Sequence, residues 1–279
     1  SAMGSGMHQP VRIGRVEVSV VCEGYAPLEL ADEMPGAEVD WDAERARHPW
    51  AFVDDDSWPW HVHAFGLRTP SGLVFVDAGV SPFPPVRPWG EHTPLEPGRP
   101  SAGGDPAEVR MVVHTHLHAD HAGGSVVDGE PRYPNAVHVV HPADWTRTVG
   151  REHPNWARGA MQRLSELGMV DLGAEDREVW PGGQVVHAPG HTPGHRSVVL
   201  VDGEHSLLFT GDLLHTPIQI ARPEHPSNHD VDTDEACRSR VRLVEEARSA
   251  GWIVGVSHFA RPFGRAREDG WAEEPSPNG

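Results

Sequence analysis

Thr115-His116-Leu117-His118-Ala119-Asp120-His121-Ala122-Gly123-Gly124 follows directly on the nearly continuous apolar run Val109–Val113. Such a run predicts a strand covered on both faces. The chain then turns into a helix or tight loop of small residues, and strand ends of this kind are where α/β folds place their sites. Three imidazoles and one carboxylate fall between positions 116 and 121. Packed this closely without a cation, they would bury polar groups that each need another partner. An exposed polar turn is the plainer reading, but it does not explain why ligand types suited to a metal converge there.

Three later stretches also end a predicted strand in a potential ligand. In Ala188-Pro189-Gly190-His191-Thr192-Pro193-Gly194-His195 the prolines and glycines impose a rigid turn, so a ligand there loses little entropy on binding. The residues alone do not rank His191 against His195. Phe209-Thr210-Gly211-Asp212 ends in a carboxylate, a group able to bridge two cations, and Val256-Ser257-His258 closes the last apolar run. Alone, each would be read as a hydrogen-bonded turn residue; their order makes them informative together.

Strands are expected at 16–20, 61–68, 72–77, 109–113, 136–140, 184–187, 197–201, 206–210 and 252–256 from alternation or short apolar runs. Helices are expected at 155–167 and 233–249, the second with Ala236, Val241, Val244 and Ala247 as its inward stripe. Strands before, between and after helices predict a layered α/β domain. Residues 23–60, acidic and carrying Trp41, Trp50, Trp58 and Trp60, read as a long irregular segment, as do the proline- and glycine-rich residues 81–104. The acids there read as a solvated face. The tryptophans are read equally as pins or as a substrate wall.

The 279 residues carry 41 acids and 23 bases, a formal net charge of −18, which disfavours nucleic acid and anionic membranes. No apolar run is long enough to span a bilayer. No signal sequence follows Met7, and the expected compartment is cytoplasmic. Ser1–Gly6 read as an expression scar, 7–270 as a single domain and 271–279 as a C-terminal tail. Cys22 and Cys237 lie in no metal-ligand spacing. Of the 20 histidines, His61, His63, His138, His141, His187, His225 and His229 read as surface or polar core residues, with His225 and His229 near a pocket mouth.

His-x-His-x-Asp-His, then Gly-His-Thr-Pro-Gly-His, then Thr-Gly-Asp, then a late His resembles the metallo-β-lactamase fold superfamily over roughly Val11 to Gly264. The resemblance implies an αββα sandwich. It implies that His116, His118 and His191 hold one metal, that Asp120, His121 and His258 hold a second, and that Asp212 bridges them. His195 then becomes a structural neighbour. Two divalent ions are expected, zinc first, with manganese, iron or cobalt as alternatives. Such a pair lowers the pKa of a shared water, and the resulting hydroxide is the expected nucleophile. Asp120 would pass a proton to the leaving group. His215 stands where lactonases of the superfamily tend to carry a tyrosine; it would orient substrate or donate a proton, or else only stabilise its turn. The segments Gly211–Gln219 and 257–265 look closer to the branch that includes methyl parathion hydrolase.

The expected activity is hydrolysis of a small ester-like substrate: a lactone, carboxylic ester or phosphoester. The alternatives are a thioesterase of the glyoxalase II type, a mononuclear iron dioxygenase, and a metal-stabilised binding protein without turnover. A true β-lactamase is disfavoured, because those enzymes lack the bridging aspartate that Asp212 supplies. The expected partner is a small-molecule substrate, without nucleic acid or membrane; a homodimer is an option.

Overall fold

The computed structural model describes residues 9–34, 38–80, 105–150 and 157–274. The expected loop at 81–104 and the expected scar lie outside the described residues, as do the last five residues of the expected tail. One sheet contains β1 (Val11–Ile13), β2 (Val16–Glu29), β3 (Ser57–Thr69), β4 (Gly72–Val76) and β5 (Val109–Val113). After a small ribbon, β6 (Val126–Val127) and β7 (Glu130–Pro131), it continues with β8 (Val137–Val140) and β9 (Val170–Leu172). Its strand order is β1-β2-β3-β4-β5-β8-β9, antiparallel up to β4 and parallel from β4 onward.

The second sheet is β10 (Arg177–Trp180), β11 (Gly183–His187), β12 (Arg196–Asp202), β13 (His205–Phe209), β14 (Ile253–Gly255), β15 (Phe263–Arg267) and β16 (Gly270–Glu273), adjacent in that order. β16 takes up part of the stretch read as a tail. The helices are α1 (Leu30–Glu33), α2 (Trp41–Arg47), α3 (Ala119–Ala122), α4 (Pro142–Val149), α5 (Ala157–Glu166), α6 (Ile218–Ala221) and α7 (Thr233–Ala250). None among the described residues is long and apolar enough to cross a membrane.

The two sheets face each other through one apolar layer. Phe65, Leu67, Val74 and Val113 of the first meet Val198, Leu200, Leu207 and Phe209 of the second. On the outer face of the second sheet, Leu243, Val244 and Ala247 of α7 cover Val199, Leu208 and Val254. On the other side, α4 and α5 bury Ala160, Met161 and Leu164 with Val140 and Leu117. The layers are therefore helix, sheet, sheet, helix, as expected.

Two expectations are corrected. In α7 the inward stripe is Ala236, Arg240, Leu243, Val244 and Ala247, while Val241 is exposed. Five residues past Ala236 is about 140° around the helix, and the inward place falls to Arg240. Residues 23–60 are not one irregular segment: β2 runs to Glu29, α1 and α2 follow, and β3 begins at Ser57. The alternation that would have revealed β2 is broken by a bulge between Cys22 and Gly24. The start of β3 is buried on both faces, so it shows no period of two. Nor are all the acids of this segment solvated: Glu23, Glu33 and Glu44 are buried. Glu23 accepts from the Val80 N–H at 2.6 Å and pairs with Arg132 at 3.1 Å.

Candidate metal centre

Each predicted ligand sits just past a strand or on the first turn after it. His116 and His118 follow β5, and Asp120 and His121 begin the single turn α3. His191 lies between β11 and β12, Asp212 just after β13, and His258 after β14. The packing of the two sheets brings all seven together.

They form two groups that share Asp212. His116, His118, His191 and Asp212 have their ligand atoms within 4.8 Å of one another, and so do Asp120, His121, His258 and Asp212. The two oxygens of Asp212 divide between the groups. Oδ2 lies 3.1 Å from His191 Nε2 and 3.5 Å from His116 Nε2. Oδ1 lies 3.0 Å from His121 Nε2 and 2.9 Å from His258 Nε2.

Neighbours fix which nitrogen of each ring is basic. His121 Nδ1–H donates to Asp77 Oδ2 at 2.8 Å, His191 Nδ1–H to Asp230 Oδ1 at 3.1 Å, and His258 Nδ1–H to the carbonyl of His61 at 2.6 Å. His116 Nδ1–H donates to Thr115 Oγ1 at 3.0 Å, and that hydroxyl passes its own proton to Asp77 Oδ2 at 2.8 Å. In all four rings Nε2 is then the lone-pair nitrogen, and it faces inward. Outer contacts of this sort are the usual means of orienting ligand imidazoles.

Basic nitrogens that face each other repel unless a cation or proton lies between them. His121 Nε2 and His258 Nε2 stand in this relation at 3.3 Å, and His118 Nδ1 comes to 3.0 Å from His191 Nε2. Ligands about 2.0–2.1 Å from one zinc-like ion are about 2.9 Å apart at right angles and about 3.4 Å apart at the tetrahedral angle. The spacings above fall in or close to this range. His116 Nε2, Asp120 Oδ2 and Asp212 Oδ1 are buried and make no hydrogen bond. The residues present therefore fit a divalent metal.

The electrostatics agree. Burial, then His121, hold His116 well below the ordinary imidazole range, and burial with His191 brings His118 down to about 3. Burial would raise the Asp212 carboxyl, yet the surrounding His121, His258, His116 and His191 hold it well below its usual value. Against burial, Asp212, Asp120 and Asp77 push His121 well above the ordinary range, and Asp212 and Asp230 lift His191 to about 9. Positive charge is stabilised at the centre, and a divalent cation held by these residues would supply it in place of protons.

His195 does not join the ligand groups. Its Nδ1–H donates to the Ala188 carbonyl at 2.8 Å, and its Nε2 accepts the Asp212 N–H at 3.0 Å. It thereby anchors the backbone of Asp212. His215 lies 3.6 Å from Asp212 Oδ2 and 4.0 Å from Glu33 Oε1, with neither ring nitrogen hydrogen-bonded. Its turn is held instead by its backbone N–H, which donates to Gln219 Oε1 at 2.8 Å.

Several supporting residues were not singled out in the sequence. Asp77, at φ +64°, ties together Thr115, His116 and His121. Its signal is a carboxylate at the end of a predicted strand. Asp144 accepts from Thr192 Oγ1 and Gly194 N–H at 2.8 and 2.7 Å, which pins the His191 turn. Asp230 joins His191 to the buried Arg240, 3.0 Å away. Burial alone would raise the Asp230 carboxyl, but His191, His215 and Arg240 bring it down to about 2.

The His191 turn also depends on Gly190, at φ +132° and packed on the first turn of α7; a Cβ there would lie 2.0 Å from the Ala236 nitrogen. Gly190→Ala should destabilise the fold by at least about 2 kcal/mol, through backbone strain plus that clash. Denaturant unfolding would show it.

A cavity of about 540 Å³ opens onto Asp120 and Asp212. Leu28, Trp60 and Val231 give it an apolar wall, and Arg147, His215 and His229 add polar groups. Of the four tryptophans in the acidic segment, Trp60 is the one that lines this cavity, with its ring 4.3 Å from that of His258. Trp58 is buried with Leu30 and Val62. Trp50 packs on Phe259, and Trp41 on the Trp58 cluster. His229 lines the cavity and pairs with Glu33 at 3.1 Å. His225 instead uses its carbonyl to hold Gln219 and Arg240, both at 3.0 Å.

Residues 57–250 match the family described as the metallo-beta-lactamase superfamily. The chain is 34% identical over 166 residues to the N-acyl homoserine lactonase AttM of Rhizobium johnstonii, covering 55% of this chain and 60% of that protein. It is 33% identical over 125 residues to AttM of Agrobacterium fabrum, covering 41% of this chain and 44% of that protein. The chain thus spans less than two thirds of these relatives' length. Among solved structures, a hydrolase named AbOPH of the beta lactamase superfamily superposes with a TM-score of 0.78 at 20% identity, covering 97% of this chain and 98% of that one. AidC, a dizinc quorum-quenching lactonase, superposes with a TM-score of 0.75 at 18% identity, covering 96% of this chain and 97% of that one. These structural likenesses show a shared fold.

Proposed function

The chain belongs to the metallo-beta-lactamase superfamily, and from this premise we propose that it is a hydrolase of small ester-like substrates, N-acyl homoserine lactones first, working with two divalent ions of which zinc is the first choice. The observation that carries the reading is the division of Asp212, with one carboxylate oxygen on each donor group. The lactonase relatives supply the substrate class. Residues 7–270 are read as one hydrolase domain, supported by the single apolar layer that both sheets share.

His116, His118 and His191 would hold one ion, Asp120, His121 and His258 the other, and Asp212 both. When bound, the ions supply Lewis acidity and an activated water at neutral pH. The protein's own groups do the rest. Asp120 lines the cavity, and its carboxylate is placed to take a proton from the attacking water and pass it to the alkoxide oxygen that leaves as the ester opens. His215 is placed to direct a ring N–H at the substrate's oxygen. Leu28, Trp60 and Val231 exclude water and receive an acyl chain. Arg147, at the same cavity, offers a positive partner to the carboxylate that hydrolysis creates.

Turnover of acyl homoserine lactones that stops on chelation and returns with zinc is the expected result. A metal-loaded protein inert towards lactones and simple esters would reject the reading. Trp60→Ala should lower kcat/KM for long-chain lactones about tenfold more than for short-chain ones, equivalent to losing about 1.4 kcal/mol of apolar contact. A chain-length series read on both proteins checks it.

A further inference from the structure

A second group of ligand-type side chains lies apart from the seven already described. Cys22 stands on β2 at the bulge, and His61 and His63 stand two residues apart on the neighbouring β3. A strand alternates its side chains, so the two histidines share a face; their rings stack at 5.1 Å between centroids. The register pairs Cys22 with His63, and the bulge then shifts the pairing so that Tyr25 meets His61. Cys22 Sγ comes to 3.5 Å from His61 Nδ1. The sulfur and one nitrogen from each ring all lie within 4.8 Å of one another.

We propose that Cys22, His61 and His63 form a third metal site, for a zinc-class divalent cation bound by one thiolate and two imidazoles. Zn–S is about 2.3 Å and Zn–N about 2.0–2.1 Å, which sets sulfur and nitrogen about 3.6 Å apart around a tetrahedral ion. The separation of Cys22 and His61 matches. His63 is oriented as ligand histidines usually are: its Nε2–H donates to the Phe259 carbonyl at 2.8 Å, which makes Nδ1 its basic nitrogen. Both histidines are buried, whereas Cys22 is partly exposed, which gives an ion a way in. Three protein ligands leave a fourth position for water.

Burial pushes the Cys22 thiol up to about 11, so the ion must displace a proton, which goes to solvent as the S–metal bond forms. The site adjoins the main centre through the His61 carbonyl, which accepts from His258 Nδ1. It shares no side chain with that centre, and the inference does not depend on the hydrolase reading.

Cobalt(II) distinguishes the two places, because thiolate ligation gives an intense sulfur-to-cobalt charge-transfer band in the near ultraviolet. The donors around Asp212 are nitrogen and oxygen only and give no such band. The full chain, produced in cobalt-supplemented medium and then given cobalt(II) in excess, should show the band. Cys22→Ser should abolish it, and Cys237→Ser should keep it. His63→Gln retains an N–H donor for Phe259 but loses the ligand, so it should weaken cobalt binding beyond the roughly 10- to 100-fold typical of outer contacts. Far-ultraviolet circular dichroism confirms that each variant is folded. The proposal is overturned if no band appears, if the band survives in Cys22→Ser, or if folded His63→Gln binds cobalt as tightly as the parent. Cys22 then only makes thiol hydrogen bonds, to the Gly24 carbonyl at 3.6 Å and with His61 Nδ1 at 3.5 Å.

Discussion

Replacing Asp212 by alanine should cut lactone turnover by roughly a thousandfold and lower the bound metal together with it. The magnitude follows from the several kcal/mol a metal site contributes to transition-state stabilisation, at about 1.4 kcal/mol per tenfold. Asp212 is the one side chain common to both donor groups. Its Oδ2 faces His191 and His116, and its Oδ1 faces His121 and His258. Removing it takes an anionic ligand from each group at once. Asp212→Asn is the finer test: the amide keeps the shape and one oxygen, so one group keeps an oxygen ligand while the other faces an NH₂. Elemental analysis and kcat on the same sample would read both effects. An Asn variant with full metal content and full turnover would remove the bridging role.

The second large effect is expected far from the reacting atoms. Arg240→Ala should cost about 3–5 kcal/mol of stability, because it takes the guanidinium out of a buried ion pair and leaves the Asp230 carboxylate with His191 and the Ser227 N–H as its remaining partners. For a chain of this size that is a drop in Tm of roughly 10 °C. Arg240 and Asp230 are both fully buried and 3.0 Å apart. The guanidinium also donates to the carbonyls of Leu213, Pro223 and His225, which tie α7 to the loops after β13. Asp230 in turn orients His191. The same variant should therefore weaken metal binding at the His191 group about 10- to 100-fold, as outer-contact losses do. Thermal unfolding with a metal titration would show the two losses together. An unchanged Tm would mean the pair does not carry the α7 contact.

The ligand-bearing stretches were legible in the sequence because each is a short local pattern, an apolar run, a turn, then an imidazole or carboxylate, whereas the choice of His191 over His195 and the division of the seven between two ions came from the family resemblance. The residues that hold the ligands were not legible, because their contacts join distant parts of the chain. Asp77 meets Thr115 across 38 positions, Asp230 meets His191 across 39 and Glu33 meets His229 across 196. No window of sequence contains such a pair. The Cys22 and His61 contact, 39 positions apart, was hidden in the same way, and the bulge that aims it leaves no compositional mark.

The layered fold was legible from strand and helix order, while short strands such as Val170–Leu172 and Arg177–Trp180 carry too few apolar residues to stand out. In α7 the periodicity gave the helix, yet placing Val241 inward misjudged its phase. The structure puts Arg240 there because the buried side chain of Asp230 pairs with it at 3.0 Å.

The most direct test of the paired centre is a metal count on the Cys22→Ser chain, which lacks the thiolate site, with lactone turnover read on the same sample. The account predicts two divalent ions per chain, removed by chelation together with activity and restored with it. A single ion per chain, or none, at undiminished turnover would contradict it.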